Sequence, residues 1–308
     1  MNKLNICVTG ATGFLGSRLV EKLDQEDVNI FVIGRNLKRL EYKRLSNVYY
    51  IEYDLNNPKT EKTIEKIDSI DCLIHLAAYV PKHGSEDDIR QSIETNVLGT
   101  MHLIDSIGKI TKKIIFGSTL EVYGLPVQLP ISEKHPTEPL TFYGASKLSA
   151  EKYLNIYSTK TGAKVIILRF TSIYGPGEIY ERALPNFIRS VIKNENLLIF
   201  GEGQDVRDYL YVDDAVKAIF LAIEKDCEGV FNIASGKTYT KKEVAEEIIR
   251  LSEKDLKLVF THPEHKSTNF TFDISKAKKV LSFSPDTDLE EGLLKEIEWY
   301  RNKRGESK

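Results

Sequence analysis

Cysteine is scarce in this chain, and the few cysteines present are isolated. Cys7, Cys72 and Cys227 stand in apolar surroundings with no CxxC pair among them. That argues against a disulfide framework and a thiolate metal site, and reads the three as buried free thiols. The histidines (His75, His83, His102, His135, His262 and His265) show no ligand spacing, so no metal site is expected. No apolar run approaches the roughly 20 residues of a transmembrane helix, so no membrane span is expected. The start, MNKLNICVTG, enters a strand almost at once and leaves no room for a signal peptide. A cytoplasmic protein is the expectation. Charge of one sign is lacking too. With a formal charge of −2, 29% charged and 41% hydrophobic residues, nothing draws the chain to nucleic acid or an anionic membrane. Any anionic ligand must be met by local positive groups. No internal repeat or low-complexity segment is visible.

What the 308 residues do contain is alternation. Residues 4–9 (LNICVT) read as an apolar strand, followed by GATGFLG and an amphipathic segment over 17–24. NIFVIGR and NVYYIEYDL read as the second and third strands, with a charged helical stretch over 60–67. DCLIHLAAYV is a buried strand. Residues 86–109 form a long helix on the spacing of Ile89, Ile93, Val97, Leu98, Met101, Ile104 and Ile107. KKIIFGST, a helix containing Tyr143, and KVIILRF follow. This order predicts an α/β fold, a doubly wound parallel sheet covered on both faces. Past residue 171 the pattern changes, and Gly175, Pro176, Gly177 and Pro185 interrupt it. Helices are expected over 187–193, 213–224, 241–252 and 289–301, and strands over 197–200, 207–211 and 269–272. GVFNIAS reads as one more strand of the main sheet. The expected organisation is a dinucleotide domain over 1–170, with 212–235 completing its sheet, and a smaller mixed α/β lobe over 171–308.

Gly10-Ala-Thr-Gly13-Phe-Leu-Gly16 lies directly between the first strand and its helix. Gly10 permits the tight turn, Gly13 lets a pyrophosphate approach the backbone, and Gly16 lets the helix pack on the strand. Phe14, Leu15 and Gly16 open the helix, whose free N–H groups and dipole suit phosphate. The spacing is G-x-x-G-x-x-G, a modified dinucleotide fingerprint. At the end of the second strand an acid would bond the ribose 2′-hydroxyl of NAD, whereas an arginine suits the 2′-phosphate of NADP. Gly34-Arg35-Asn36 stands there without an acid. Arg35 therefore favours NADP(H), with NAD(H) possible; as an alternative, Arg35 is a solvated surface residue.

Tyr143 and Lys147, in TFYGASKLSAEKYL, are four apart and share a helix face. A phenol's reference pKa is near 10, and an ammonium beside it favours the phenolate. The pair can relay a proton near neutral pH, although Y-x-x-x-K also arises by chance.

With these parts together, the chain resembles the extended short-chain dehydrogenase/reductases, in particular the NAD(P)-dependent nucleotide-sugar epimerase/dehydratase group. The likeness rests on TGATGFLG, the YDL after the third strand, HLAA, ETNVLGT, GSTLEVYG, YGASK, LRFTSIYGPG, GEGQDVRDYLYVDDAVKAI, FNIASG and DISKAKKVLSFSP. It covers nearly the whole chain and implies a Rossmann-type sheet with a nucleotide-sugar-binding C-terminal lobe. It makes Tyr143 the acid/base and Lys147 the residue that lowers its pKa and holds the nicotinamide ribose. Thr119 matches the hydroxyl that bonds the reacting sugar oxygen. Asp54 and Leu55 match adenine contacts, and Leu76, Ala77 and Ala78 the wall beside the dinucleotide, while Asn96 supports the site. On the substrate side Arg207 matches a diphosphate contact, unless it pairs with Asp205 or Asp208. Asn186 falls near the diphosphate.

The departures are informative. The resemblance implies an acid pair after the catalytic hydroxyl in dehydratases, but here Leu120 precedes Glu121, which argues against 4,6-dehydration. Ser172 stands where an asparagine is common. A late arginine is replaced by HPEHKSTNF, where His265 or Lys266 could serve instead. The leading expectation is 4-epimerisation of a nucleoside-diphosphate sugar through a 4-keto intermediate. The alternatives are an NADPH-dependent 4-ketoreductase, a dehydratase and a non-catalytic dinucleotide sensor. A homodimer through residues 86–109 and the Tyr143 helix is expected from the resemblance.

Overall fold

A computed structural model describes residues 3–35, 45, 47–57, 67–81, 85–178, 180–262, 264 and 267–306. The main sheet has seven strands. In chain order these are β1 (Leu4–Thr9), β2 (Val28–Gly34), β3 (Val48–Glu52), β4 (Ile70–His75), β5 (Thr111–Thr119), β6 (Lys164–Phe170) and β10 (Gly229–Ile233), lying side by side as β10-β6-β5-β4-β1-β2-β3. The six N-terminal strands of this set run parallel wherever their register is defined. The order reverses at β1, so the chain winds outward in both directions from the strand that precedes the glycine turn. Ligands of such sheets bind beyond the strands' carboxyl ends at that reversal.

The strands read as they do because both faces are buried. Ile6, Val8, Ile30, Val32, Leu73, Ile74, Ile114, Ile115, Ile166 and Ile167 are all sealed from water, leaving no polar face to alternate. Helices α1 (Phe14–Leu23), α3 (Gly99–Ile107) and α4 (Phe142–Thr161) cover the sheet, burying Leu19, Val20, Leu103, Ile107, Ala150 and Leu154.

Contacts divide the chain into two compact units. The first comprises 1–125, 136–170 and 218–231, and the second 126–135, 171–217 and 232–308. In the second, β9 (Val206–Tyr211) lies between β7 (Ser172–Tyr174) and β11 (Thr238–Thr240), and β8 (Leu197–Phe200) pairs with β12 (Leu258–Thr261). Helices α5 (Ala183–Lys193), α6 (Val212–Glu224), α7 (Lys241–Ser252) and α8 (Leu289–Glu306) complete the described regular structure of this half of the sequence together with a short π-helical turn, Ala277–Leu281.

Two expectations need correction. The long helix over 86–109 is in fact α2 (Glu86–Gln91), a π-helical segment (Ser92–Leu98) and α3. The wider π turn carries Asn96, and such turns gather at functional sites. Residues 269–272 are not a strand: Asn269 bridges Val206 while Phe272 bridges Ile131. Two different partners leave no continuous ladder. Of the helical stretch over 60–67, residues 60–66 lie outside the described residues. Among the described residues no helix is long and apolar enough to cross a membrane, and no cluster of His, Cys, Asp and Glu could hold a metal ion.

Candidate active site

The turn after β1 is built around glycine. Gly10 has φ +75°, and a Cβ there would lie 2.6 Å from the Ala77 nitrogen. A Cβ on Gly16 would come within 2.1 Å of the Gly10 oxygen. The Gly13 N–H donates to the Gly10 carbonyl at 2.9 Å, closing the turn. Gly13 caps α1 without a side chain. The amides of Phe14, Leu15 and Gly16 therefore open the helix without a capping side chain from Gly13, as a phosphate cradle requires. These residues fit a dinucleotide.

The neighbouring strand ends are locked to this turn. The Leu76 N–H donates to the Thr9 carbonyl at 3.2 Å, and the Ala77 N–H to Thr9 Oγ1 at 3.2 Å. His75, sealed from water, meets Thr9 Oγ1 at 2.6 Å and Thr100 Oγ1 at 3.0 Å. Burial, with Lys147 nearby, pushes its pKa down to about 3, so it is a neutral strut. Ala78 continues the same strand end. Past β2, Arg35 is exposed and its Nε lies 3.9 Å from Asp54 Oδ1. Asp54 also accepts from the Asn56 N–H at 3.0 Å. The Leu55 carbonyl meets His102 Nδ1 at 3.0 Å, and its side chain lies where a Cβ on Gly99 would fall, at 2.9 Å.

Thr119 ends β5, and Tyr143 and Lys147 lie in the first turns of α4. Thr119 is 9% exposed and its hydroxyl accepts from the Glu121 N–H at 3.2 Å. Glu121 in turn accepts the Thr141 hydroxyl proton at 2.7 Å, while Thr141 caps α4 by accepting from the Gly144 N–H at 3.0 Å. Glu121, two residues after Thr119, thus holds the start of the helix that carries Tyr143. Gly144 is required here, since a Cβ would lie 2.7 Å from the Glu121 oxygen.

Asn96 fastens the other side. Its Nδ2 donates to Ser146 Oγ and the Tyr79 carbonyl, both at 2.9 Å, and its Oδ1 accepts from the Tyr79 N–H at 2.7 Å. Ser146 Oγ donates to the Tyr143 carbonyl at 2.9 Å. Asn96 therefore anchors the Tyr143 helix to the chain after β4.

Lys147 is 1% exposed, with its ammonium 3.9 Å from the centre of the Phe116 ring. Burial pushes its pKa down to about 7, against the pull of Glu151. Glu151, one turn further on, accepts from Ser118 Oγ at 2.5 Å and pairs with Arg169 through Nε at 3.0 Å and NH2 at 2.6 Å. Ser118 and Arg169 are register partners on β5 and β6. Sequence reasoning missed Phe116, Ser118, Glu151 and Arg169. The signal for Glu151 was available, because it stands four residues after a buried lysine on the same helix face.

In the second unit a pocket of about 120 Å³ is lined by Ser172, Arg182, Pro185, Arg207, Tyr209 and Lys241, among others. Ser172 and Arg207 meet there. Asn186 does not line it; its amide oxygen instead accepts from Arg189. Arg207 pairs with Asp205 at 3.5 Å while still facing the pocket. Asp208 is not its partner, because that carboxylate accepts the Ser235 and Gly236 N–H groups, both at 2.8 Å. His265 and Lys266 lie outside the described residues.

A sheet reversing at a glycine turn, with a Thr/Tyr/Lys set at the neighbouring strand and helix ends, defines a dinucleotide-dependent dehydrogenase-like enzyme. The sequence pattern of the NAD dependent epimerase/dehydratase family matches residues 6–234. The chain belongs to this family of extended short-chain dehydrogenase/reductase enzymes. It is 30% identical to a putative UDP-glucose 4-epimerase of Methanocaldococcus jannaschii, across 96% of this chain and 98% of the relative. The UDP-glucose 4-epimerase of Thermotoga maritima, solved with UDP-glucose, is 32% identical with a TM-score of 0.89, over 98% of this chain and 100% of that one. The UDP-glucuronic acid 4-epimerase of Bacillus cereus, solved with UDP-glucuronic acid and NAD, is 27% identical with a TM-score of 0.87, over 97% and 100%.

Proposed function

We propose that the protein inverts C4 of a nucleoside-diphosphate sugar, a UDP-sugar first, through its 4-keto form. The observation that carries the reading is the buried Lys147 ammonium one helical turn from Tyr143, with Thr119 at the end of β5. Tyr143 takes the proton of the sugar's C4 hydroxyl and returns it, a general acid–base role contributing about 10²- to 10⁴-fold. Lys147 favours the phenolate, and Thr119 orients the sugar oxygen. When bound, the nicotinamide supplies the hydride acceptor and donor. Dehydration is disfavoured because Leu120 replaces the first acid and Glu121 is engaged by Thr141.

The cofactor of this reading is NAD(H). Arg35 supports NADP(H) instead, but it shares its neighbourhood with Asp54, 3.9 Å away, an acid unfavourable to a 2′-phosphate. Titration of both dinucleotides against wild type and Arg35→Ala decides between them. Arg35 also favours the second reading, a 4-ketoreductase that consumes reduced cofactor. The diphosphate is assigned to Arg207 and the pocket it lines. Exposed Ile93, Leu98, Tyr153 and Ile156 on the helices over 86–107 and 142–161 support a homodimer, which light scattering would test. The buried free thiols Cys7 and Cys72 suit a reducing compartment, here taken as the cytoplasm.

The test is turnover of UDP-glucose, UDP-N-acetylglucosamine and UDP-glucuronate, followed by NMR of the C4 epimer without added reduced cofactor. Tyr143→Phe should lower kcat about 10³-fold. Turnover that requires stoichiometric reduced cofactor would replace the epimerase reading with the reductase.

A further inference from the structure

The pocket of the second unit holds more cationic chemistry than Arg207. Lys241, the first residue of α7, lines the same pocket, as does Arg182. Lys241 Nζ donates to Asp205 Oδ2 at 2.8 Å, and Arg207 NH2 lies 3.5 Å from Asp205 Oδ1. Asp205 is 1% exposed, and it also accepts from the Thr268 N–H and Oγ1, both at 3.0 Å. Arg207 is fixed in addition by the Thr268 carbonyl at 3.0 Å, Thr268 Oγ1 at 2.8 Å and the face of Phe270 at 4.7 Å. One buried carboxylate therefore holds two cationic heads at one wall and neutralises only one of them.

That geometry is a preorganised anion clamp. The surplus positive charge faces a cavity large enough for small groups, and the side-chain entropy of both cations is largely spent before a ligand arrives. Tyr239, the register partner of Arg207 across β11 and β9, precedes Lys241 by two positions, so the strand pairing sets the lysine beside the arginine. Resting on the function proposed above, we infer that Lys241 is the second cation of a diphosphate-binding clamp, with Asp205 positioning it against Arg207. A guanidinium and a point-charge ammonium can each take one phosphate of a nucleoside diphosphate. The late segment that in the resembling family carries an arginine contributes Thr268, which steadies the clamp without supplying its charge.

The experiment is calorimetry on the full chain with UDP and with uridine, for wild type, Lys241→Gln, Lys241→Arg and the neighbouring control Lys242→Gln. Lys241→Gln should weaken UDP about tenfold, as expected for one charge-assisted hydrogen bond. It should leave uridine unchanged, and Lys241→Arg should retain most of the UDP affinity. Thermal melting identifies a variant that has lost its fold, and the arginine variant keeps the Asp205 pair for comparison. Unchanged UDP affinity in a folded Lys241→Gln overturns the inference, as does an equal loss for uridine. Wild type that binds none of UDP, dTDP or GDP overturns it too. Lys241-dependent UDP binding without turnover of any UDP-sugar would sink the proposed function and leave the clamp standing.

Discussion

The Lys147 ammonium sits 3.9 Å from the centre of the Phe116 ring, on a residue 1% exposed. An ammonium in that position gains about 0.5–2 kcal/mol from the ring's negative face. Burial, which pushes the lysine down to about 7, works the other way. Phe116→Leu keeps the bulk and removes the face, so Lys147 should lose its proton at lower pH. The upper limb of the kcat profile between pH 6 and 9 should move down by up to about one unit. A slower enzyme with an unmoved profile would reduce Phe116 to packing.

The Glu151–Arg169 pair joins the Lys147 helix to the sheet, with side chains 2% and 5% exposed. Removing one member of a buried pair strands the other charge, at about 3–5 kcal/mol. Glu151→Gln should cost stability of that order in urea. It should also lower the pH at which Lys147 loses its proton, because Glu151 pulls that pKa upward. Glu151→Leu with Arg169→Met removes both charges and should recover much of the stability. If the double variant is as unstable as the single ones added together, the pair is not coupled.

Much of this was legible in the residues, and the reasons for the exceptions are physical. The parallel strands announced themselves because burial on both faces leaves continuous apolar runs, as in KVIILRF. The glycine turn was legible because only glycine tolerates a carbonyl 2.1 Å from a would-be Cβ at Gly16. The π turn at Asn96 was not, because one extra residue per turn hardly alters an apolar periodicity. Nor could composition show that Ser118 and Arg169 meet Glu151, since that depends on the register of β5 against β6. Lys241 was hidden for the same reason, its place being set by the pairing of β11 with β9.

Two glycines separate steric need from backbone need. Gly16→Ala must push the Gly10 carbonyl, 2.1 Å away, out of the glycine turn. A cost of about 1–3 kcal/mol and at least tenfold weaker dinucleotide binding are expected, read by melting and by fluorescence titration. Gly162→Ala meets nothing within 4 Å and is strained only by its φ of +76°. It should cost about 1 kcal/mol and leave dinucleotide affinity untouched. Equal affinity losses in the two variants would remove Gly16 from the cradle.

Glu296 and Glu178 lie buried in the second unit, where Glu178 Oε2 and the Glu296 carboxyl oxygens find no hydrogen-bond partner of ordinary geometry among the described residues. Burial first, and then the Glu178 charge, push Glu296 up to about 8, against the opposing pull of Arg189 and the Gly175 amide. Glu178 is pushed up to about 7 by its own burial, with Arg182 and Arg189 opposing. Tyr174 and Tyr300 complete the surroundings. Both folded-state values exceed the unfolded one, so between about pH 4.5 and 8 the folded chain binds more protons and loses stability as pH rises. Glu296→Gln stays neutral throughout that range. Its advantage over wild type should be small near pH 5 and grow to about 4 kcal/mol at pH 8.5, measured by urea unfolding at both values. A difference that does not grow with pH would mean that Glu296 is already ionised at pH 5, and so that the buried pair does not hold its proton.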